Sequence, residues 1–211
     1  MKRRLVGGSL LCLTVAAGLL ATPVARAQDA AWEIGEPAPE FTLPDTYGEG
    51  HALADYRGEW VVLEWLNYEC PYVGKHYNSG NMQGLQREYG EKGVVWLAIV
   101  SSAPGKQGYH EPDEMNSISN AKNSAAKAVL LDPEGNVGHL YSAQTTPQMI
   151  VIDPDGVLLY NGAIDDRPTA RLSDIEGATN YLAAALDEAM SGREVSTPTS
   201  QPYGCSVKYA R

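Results

Sequence analysis

The chain has 211 residues, with 16 Lys or Arg against 26 Asp or Glu, so its formal net charge at pH 7 is −10. An acidic excess of this size argues against nucleic acid or an anionic membrane surface as a binding partner. The length is sufficient for one domain with a sizeable hydrophobic core.

The N-terminal stretch has the pattern of a secretory signal peptide. Residues 2–4 are basic, residues 5–24 are uncharged and largely apolar, and Ala25-Arg26-Ala27 provides a small-x-small cleavage site. We therefore expect residues 1–27 to be cleaved and the protein to be exported to a bacterial periplasm, with no membrane attachment afterwards. The alternative is a retained membrane anchor.

The first half of the remaining chain predicts short strands, a buried strand and a long helix. Phe41-Thr42-Leu43-Pro44 is typical of an edge strand, because proline cannot donate in a central ladder, and a strand at 51–53 returns after a turn. The apolar run at 60–66 predicts a buried strand. A helix is predicted over 71–89, and the polar cluster 78–81 should kink or break it.

The second half alternates strands and helices. A capping box, Ser173-x-x-Glu176, predicts the start of a helix that Gly192 ends. Strand–helix–strand followed by hairpin–helix is the pattern of an α/β layer protein. The other predicted elements of this half are a strand at 94–100, a weak helix at 114–127, a strand at 129–131, a helix at 136–141 and hairpin strands at 148–152 and 157–160.

Cys70 carries the most chemical information. It follows the predicted strand at 60–66 and precedes Pro71, which suits the first turn of a helix. A sulfur at a helix N-terminus lies at the positive end of the macrodipole and near unpaired N–H groups. Both favour the thiolate, which is the reactive form of cysteine. The sequence therefore predicts an activated thiol where a strand gives way to a helix.

Cys205 is the other cysteine outside the predicted signal peptide. It lies in Pro202-Tyr203-Gly204-Cys205-Ser206, within a tail of residues 193–211 that shows no periodicity. Export would place both thiols in an oxidising compartment, where an even pair of cysteines often forms a disulfide. Three interpretations remain open for Cys205: a resolving cysteine that swings onto Cys70, one half of a permanent structural bridge, or an unpaired or intermolecular thiol.

The order of elements, with a thiol at the start of the first helix, resembles the thioredoxin-like fold. The N-terminal pattern is similar to the opening of its redoxin branch, the AhpC/TSA relatives, and Thr146-Pro147 resembles the cis-proline loop. The resemblance covers about residues 34–191 and implies an α/β fold with a mixed central β-sheet flanked by helices and an N-terminal redoxin β-hairpin. It places this domain at 28–192. The residues of the N-terminal pattern are Gly35-x-x-Ala38-Pro39-x-Phe41-x-Leu43-x-Asp45-x-x-Gly48, Leu53-x-Asp55-Tyr56-Arg57-Gly58 and Val61-Val62-Leu63.

The resemblance also implies roles for individual residues. Cys70 matches the nucleophilic cysteine of thioredoxins and the peroxidatic cysteine of peroxiredoxins, whereas Val73 stands where a thioredoxin has its second cysteine. Asn67 stands where peroxiredoxins have a threonine, and Pro147 where they have an arginine. The chain thus looks most like exported peroxiredoxin-like proteins with a single Cys-Pro-x-Val cysteine. The residues expected to line the substrate groove are Asn67, Pro71, Thr146 and Pro147.

Three further side chains near Cys70 in the sequence bear on its predicted chemistry: Glu64, Lys75 and His76. Glu64 stands where thioredoxins have a buried acid, and burial of a carboxylate in a central strand should raise its pKa, which suits a proton shuttle beneath the sulfur. An exposed strand face is the alternative for Glu64. Lys75 is expected to be solvated, and His76 to be packed or solvated, with a catalytic part as its alternative. The histidines show no metal spacing with one another.

These observations predict an exported, peroxiredoxin-like thiol oxidoreductase. Cys70 reduces a peroxide or exchanges disulfides, Cys205 is the candidate resolving cysteine, and an external thiol reductant supplies the electrons. No metal or organic cofactor is expected. The alternative is a redox-inert binding module of the same fold with a structural Cys70–Cys205 disulfide. Copper handling by Cys70 would lack a second nearby thiol.

Overall fold

The computed structural model describes residues 32–210, so the predicted signal peptide at 1–27 lies outside the described residues. Its centre is a five-stranded sheet whose first three strands in the chain are parallel and whose last two are antiparallel to their neighbours. This confirms the predicted mixed sheet. The strands are β3 (Trp60–Trp65), β4 (Val94–Val100), β5 (Ala128–Leu131), β7 (Gln148–Ile152) and β8 (Leu158–Gly162), in the spatial order β5-β4-β3-β7-β8.

Two pairs of short strands flank this sheet. An antiparallel hairpin near the N-terminus, β1 (Thr42–Pro44) and β2 (Gly50–Ala52), confirms the expected redoxin hairpin. The second pair joins β6 (Thr145–Thr146) to β9 (Cys205–Ser206) in the tail. The sequence predicted neither strand of this second pair, because two-residue strands carry no periodicity.

Five α-helices accompany the strands, and none of those in the described part of the chain is long and apolar enough to cross a membrane. The helix expected over 71–89 is broken as predicted, and Gly80 takes a φ of +79° at the break. The helix expected at 114–127 is shifted and shorter, because Asn123 adopts a left-handed conformation just beyond its end. The helices are α1 (Pro71–Asn78), α2 (Asn81–Glu91), α3 (Pro112–Ala121), α4 (Asn136–Leu140) and α5 (Tyr181–Met190).

Helices or loops cover both faces of the central sheet, which explains why β4 is continuously apolar and β3 is apolar except at Glu64. On one face, side chains from α1, α2 and α5 pack onto alternate strand residues such as Val62 and Met149. On the other face, the N-terminal hairpin and α4 pack onto Leu63 and Leu97. The loop between β3 and α1 therefore emerges from a strand that is buried from Val61 to Trp65.

The predicted capping box at Ser173 is wrong. Ser173 lies in a short 3₁₀ helix, and α5 begins only at Tyr181, after Asn180. The Asn180 side chain accepts a hydrogen bond from the backbone N–H of Ala183 over 2.9 Å, so it caps the first turn. The Ser-x-x-Glu pattern does not mark a helix start here, because the Ser173 side chain bonds to the neighbouring Asp174 instead of a helix N–H.

We expect Asn180→Ala to lower the free energy of unfolding by about 1 kcal/mol, because the first turn of α5 loses its capping acceptor. The matched control is Ser173→Ala, which should cost less than about 0.5 kcal/mol, as exposed surface substitutions usually do. Urea unfolding monitored by circular dichroism measures both. Equal losses for the two variants would show that the cap lies elsewhere.

Candidate active site

Cys70 lies at the N-cap position of α1, directly before Pro71, as the sequence predicted. Its backbone N–H donates to the carbonyl oxygen of Asn67 over 3.0 Å, which closes a tight turn between β3 and the helix. Its own carbonyl accepts from the N–H of Gly74 over 2.8 Å and begins the helix. Only 1 % of Cys70 is exposed, so the thiol lies beneath other side chains.

A second segment meets the thiol at the Thr146–Pro147 bond. This peptide bond is cis, as expected from the resemblance. The Cys70 Sγ donates a hydrogen bond to the Thr146 carbonyl oxygen over 3.1 Å. The fold therefore brings the start of α1 against the cis-proline loop, 76 positions further along the chain.

The tail brings Cys205 to the same place. Cys205 is paired with Thr146 in the β6–β9 ladder, the residue whose carbonyl contacts the Cys70 sulfur. Both cysteines are free thiols in this structure. Cys205 therefore needs no swing of the tail to reach Cys70, in contrast to the movement that the sequence interpretation of a resolving cysteine included.

The surroundings of the two thiols shift their pKa values in opposite directions. Burial opposes ionisation of Cys70, yet a hydrogen bond from the Cys205 thiol and the backbone N–H groups of Val73 and Cys205 together hold the pKa of Cys70 below its usual value. Burial and the neighbouring Cys70 sulfur raise the pKa of Cys205 to about 11. Cys70 is thus the thiol of the pair with the lower pKa, and it is the one better suited to act as a nucleophile.

We expect Cys205→Ala to raise the pKa of Cys70, because the largest of the influences that lower it is lost. One hydrogen bond contributes about 0.5–1.5 kcal/mol, so alkylation of Cys70 by iodoacetamide at neutral pH should slow by up to about tenfold. The pH dependence of the labelling rate, read at the Cys70 peptide by mass spectrometry, measures the change. Cys205→Ser, which keeps a hydroxyl donor, should fall between the two proteins. An unchanged pH profile in Cys205→Ala would contradict this description of the site.

The residues expected to line a groove are present but covered. Asn67, Thr146 and Pro147 are buried, and of the four only Pro71 is exposed. The Asn67 side chain accepts from the Glu69 N–H over 2.9 Å, and its amide nitrogen has no partner. In this structure β9 pairs with the edge of β6 beside these residues, and their role as a substrate groove stays a prediction.

Glu64 is fully buried, which confirms the expected environment. Burial raises its pKa to about 7, and hydrogen bonds from Trp96, Tyr77 and Gln86 limit the rise. Among the described residues none of its hydrogen bonds reaches Cys70. The structure thus supplies a carboxyl group that titrates near neutrality without joining it to the sulfur.

The expectation that Lys75 is solvated is wrong. Lys75 is fully buried, and its ammonium group donates to Asp165 over 3.0 Å, to the Arg167 carbonyl over 2.8 Å and to the Tyr203 hydroxyl over 3.2 Å. His76 packs beside them, fully buried. Its burial lowers its pKa to about 4, against the opposing influence of Asp165. We call Lys75, His76, Asp165 and Tyr203 the buried polar cluster.

Sequence reasoning missed Asp165 and Tyr203 as partners in this cluster. Asp165 follows β8 without any recognisable motif, and Tyr203 belongs to a tail without periodicity. The only available signal was the position of Tyr203, two residues before Cys205.

The structure also groups three potential metal ligands that the sequence did not. Asp45, Glu49 and His51 each place one ligand atom within 4.8 Å of the others. The Asp45 carboxylate already accepts the backbone N–H groups of Tyr47 and Glu49, over 2.8 and 2.9 Å. The group therefore serves the turn of the N-terminal hairpin, and no metal role is assigned to it.

The fold and the site together define a thioredoxin-like protein with a cysteine at the start of α1 that faces a cis-proline loop. Residues 34–161 match the profile of the AhpC/TSA family. The chain belongs to this family, the redoxin branch of the thioredoxin-like proteins.

Several named relatives are similar to the chain. Two Geobacillus proteins named thiol-disulfide oxidoreductase ResA are 32 % identical over 94 residues (G. thermodenitrificans) and 28 % identical over 153 residues (G. kaustophilus), covering 40 % and 67 % of this chain. The chain spans about half of the first relative's length (54 %) and 87 % of the second. A Mycobacterium tuberculosis protein whose name describes it as a candidate peroxiredoxin is 26 % identical over 132 residues, 63 % of this chain and 78 % of its own.

Solved structures show the same architecture. An uncharacterised conserved protein from Geobacillus kaustophilus superposes with a TM-score of 0.72 at 26 % identity, covering 86 % of this chain and 94 % of its own. The thioredoxin domain of a thiol-disulfide oxidoreductase from Bacteroides vulgatus superposes with a TM-score of 0.50 at 17 % identity, covering 69 % and 97 %. These likenesses establish the thioredoxin-like fold.

Proposed function

We propose that this protein is an exported thiol-dependent oxidoreductase in which Cys70 is the nucleophile and Cys205 the resolving cysteine. The observation that carries the proposal is the meeting of both thiols at Thr146, with the pKa of Cys70 lowered and that of Cys205 raised. The names of the relatives, thiol-disulfide oxidoreductase and peroxiredoxin, support this class of reaction. The sequence of residues 1–27 supports export.

With a hydroperoxide, the Cys70 thiolate attacks one peroxide oxygen and the O–O bond breaks. The sulfur is oxidised to a sulfenic acid, and the leaving oxygen takes a proton to become an alcohol or water. The Cys205 thiol then attacks the sulfenic sulfur, which releases water and forms the Cys70–Cys205 disulfide. Two equivalents of an external thiol reduce this bond and become oxidised in turn.

With a small disulfide, the Cys70 thiolate attacks one of its sulfurs and releases the other half as a thiolate. Cys205 then displaces the bound half from Cys70 and leaves the same protein disulfide. The proton that Cys205 loses goes to the departing thiolate. In both reactions the N–H groups at the start of α1 stabilise the sulfur anion. Glu64 is given no step, because its hydrogen bonds end at Trp96, Tyr77 and Gln86.

One observation favours a second candidate, a redox-inert binding module with a structural Cys70–Cys205 bond. Cys70 is 1 % exposed, which is typical of inert buried cysteines. In that case the bond would resist mild thiol reductants and have a reduction potential below about −300 mV.

Stopped-flow mixing of the reduced protein with a hydroperoxide, and separately with glutathione disulfide, tests the proposal. We expect at least one oxidant to react at Cys70 at least about tenfold faster than with a free thiol, because a lowered thiol pKa raises the thiolate fraction. The product should be the Cys70–Cys205 disulfide by mass spectrometry.

The two cysteine variants separate the steps. Cys70→Ser should not react, whereas Cys205→Ser should stop at a sulfenic acid that dimedone traps at Cys70. Failure of both oxidants to outpace a free thiol would refute the proposal, and a disulfide that mild thiols cannot open would favour the inert module.

A further inference from the structure

The tail follows a fixed course across the site. Leaving α5, it runs beside Asn161 of β8, whose N–H donates to the Pro198 carbonyl over 3.1 Å. It then forms β9 against β6, and the Val207 N–H donates to the Gln144 carbonyl over 3.0 Å. Finally the Ala103 N–H donates to the Lys208 carbonyl over 2.8 Å. Backbone pairing thus holds the tail on both sides of Cys205.

Glycines at the contact points leave space for this course. A Cβ on Gly162 would lie 2.7 Å from the backbone nitrogen of Ser200, and a Cβ on Gly135 or Gly138 would overlap the Tyr209 ring. Gly204 itself has a φ of +142°, and a Cβ there would overlap the backbone of Thr146. The close approach of the tail to β6 therefore depends on the absence of a side chain at position 204.

Tyr203 anchors the tail in the protein interior. Its hydroxyl donates to the Asp165 carboxylate, accepts from the Lys75 ammonium group over 3.2 Å, and lies 3.3 Å from the His76 Nε2. Its ring packs edge-on against Tyr72 of α1, with 5.8 Å between the ring centroids. Undocking the tail would take a hydrogen-bond partner away from both members of the buried Lys75–Asp165 ion pair, which makes this anchor costly to release.

The docked tail uses the edge that an extended polypeptide would need. A polypeptide that binds by strand addition requires free backbone groups on an exposed edge. Here β9 already pairs with β6, and Cys205 occupies the place beside Cys70 that a partner's cysteine would take. A small oxidant needs no strand pairing and reaches the sulfur through small local openings.

We propose that residues 199–209 are a resident segment that restricts Cys70 to small oxidants, and that Tyr203 is the residue that determines this specificity. The inference rests on the proposed function, since it names the substrate class of the same thiol. Hydroperoxides and small disulfides react while the tail is docked. Protein disulfides react only after Tyr203 leaves the buried polar cluster.

Labelling by reagents of two sizes tests, independently of catalysis, whether the tail restricts access to Cys70. Iodoacetamide and a maleimide carrying a long polyethylene-glycol chain are compared on the full chain, and modification is read at Cys70 by peptide mapping. In the unaltered protein we expect the bulky reagent to be at least about tenfold more strongly excluded from Cys70 than from a free peptide thiol.

Two variants loosen the tail in different ways. Tyr203→Phe removes hydrogen bonds to charged groups, so labelling by the bulky reagent should rise about tenfold or more. Gly204→Ala should also raise labelling by the bulky reagent, because the added methyl group conflicts with the backbone of Thr146. The matched controls are Tyr47→Phe, at an exposed tyrosine, and Gly177→Ala, at a glycine that also has a positive φ but open space around it. Neither control should change the rate at which the bulky reagent labels Cys70.

A second readout is the rate with denatured, disulfide-bonded insulin relative to the rate with glutathione disulfide. Loosening the tail should raise this ratio about tenfold. Rapid labelling of unaltered Cys70 by the bulky reagent, or no response to either tail variant, would overturn the inference. If labelling behaves as expected and no oxidant reacts, the tail is a cover and the proposed oxidoreductase function is the part that fails.

Discussion

Replacing Lys75 with methionine is expected to lower the free energy of unfolding by about 3–5 kcal/mol, the largest stability effect we predict for a single side chain. Lys75 is fully buried and Asp165 is 3 % exposed, so the substitution leaves a carboxylate in the interior without its cation. The Arg167 carbonyl loses a donor at the same time. Equilibrium urea unfolding under reducing conditions measures the change.

The matched control is Lys92→Met. The Lys92 ion pairs with Glu88 and Asp187 are exposed, and exposed pairs contribute less than about 1 kcal/mol. If Lys75→Met and Lys92→Met lose similar amounts of unfolding free energy, the buried Lys75–Asp165 pair contributes no more to stability than an exposed ion pair does. The double variant Lys75→Met/Asp165→Leu removes both charges, and we expect it to be more stable than Lys75→Met alone.

Replacing Glu64 with glutamine is expected to change the pH dependence of stability. Glu64 has a pKa of about 7 in the folded protein against an ordinary value of 4.5, so between these pH values the folded chain holds a proton that the unfolded chain has lost. The wild-type free energy of unfolding therefore falls as pH rises through this window, by about 3 kcal/mol for this group. Relative to wild type, Glu64→Gln should gain about that amount between pH 4.5 and 7.

His76 contributes a slope of opposite sign, which is why the comparison is made between two proteins. Its folded pKa is lowered from 6.5 to about 4, so the unfolded chain binds the extra proton and stability falls as pH falls through that range. This contribution is common to wild type and Glu64→Gln and cancels in their difference. The control is Glu59→Gln, at an exposed position just before β3. Parallel pH curves for wild type and Glu64→Gln, or the same change in both variants, would show that burial of Glu64 is not the cause.

The parts of the fold that the sequence predicted are those governed by local chemistry. The buried strand β4 is a continuous apolar run and β3 and β7 are apolar except for Glu64 and Gln148, while a polar, glycine-containing cluster separates α1 from α2. The error at Ser173 is also local in origin. A capping box matches only four residues, and Asn180 near the next apolar run was the stronger cap.

Side-chain partners distant in sequence were not predictable in the same way. Lys75 bonds to Asp165, 90 positions away, and to Tyr203, 128 positions away. A lysine on an amphipathic helix is ordinarily solvated, and nothing near residue 75 in sequence reports a carboxylate that will face it. Solvation was the reasonable expectation, and only the packing of β8 and the tail against α1 reverses it.

By itself, the sequence determined that a thiol begins the first helix after a buried strand, and that a Thr-Pro bond precedes the strand beside it. These features depend on residues adjacent in the chain, whose backbone preferences act at short range. Only the tertiary structure decided that Cys205 lies beside Cys70 and that the tail covers Cys70. The physical reason is that β9 is held by backbone pairing to β6 and by Tyr203 in the buried polar cluster, contacts that exist only once the distant segments have folded together.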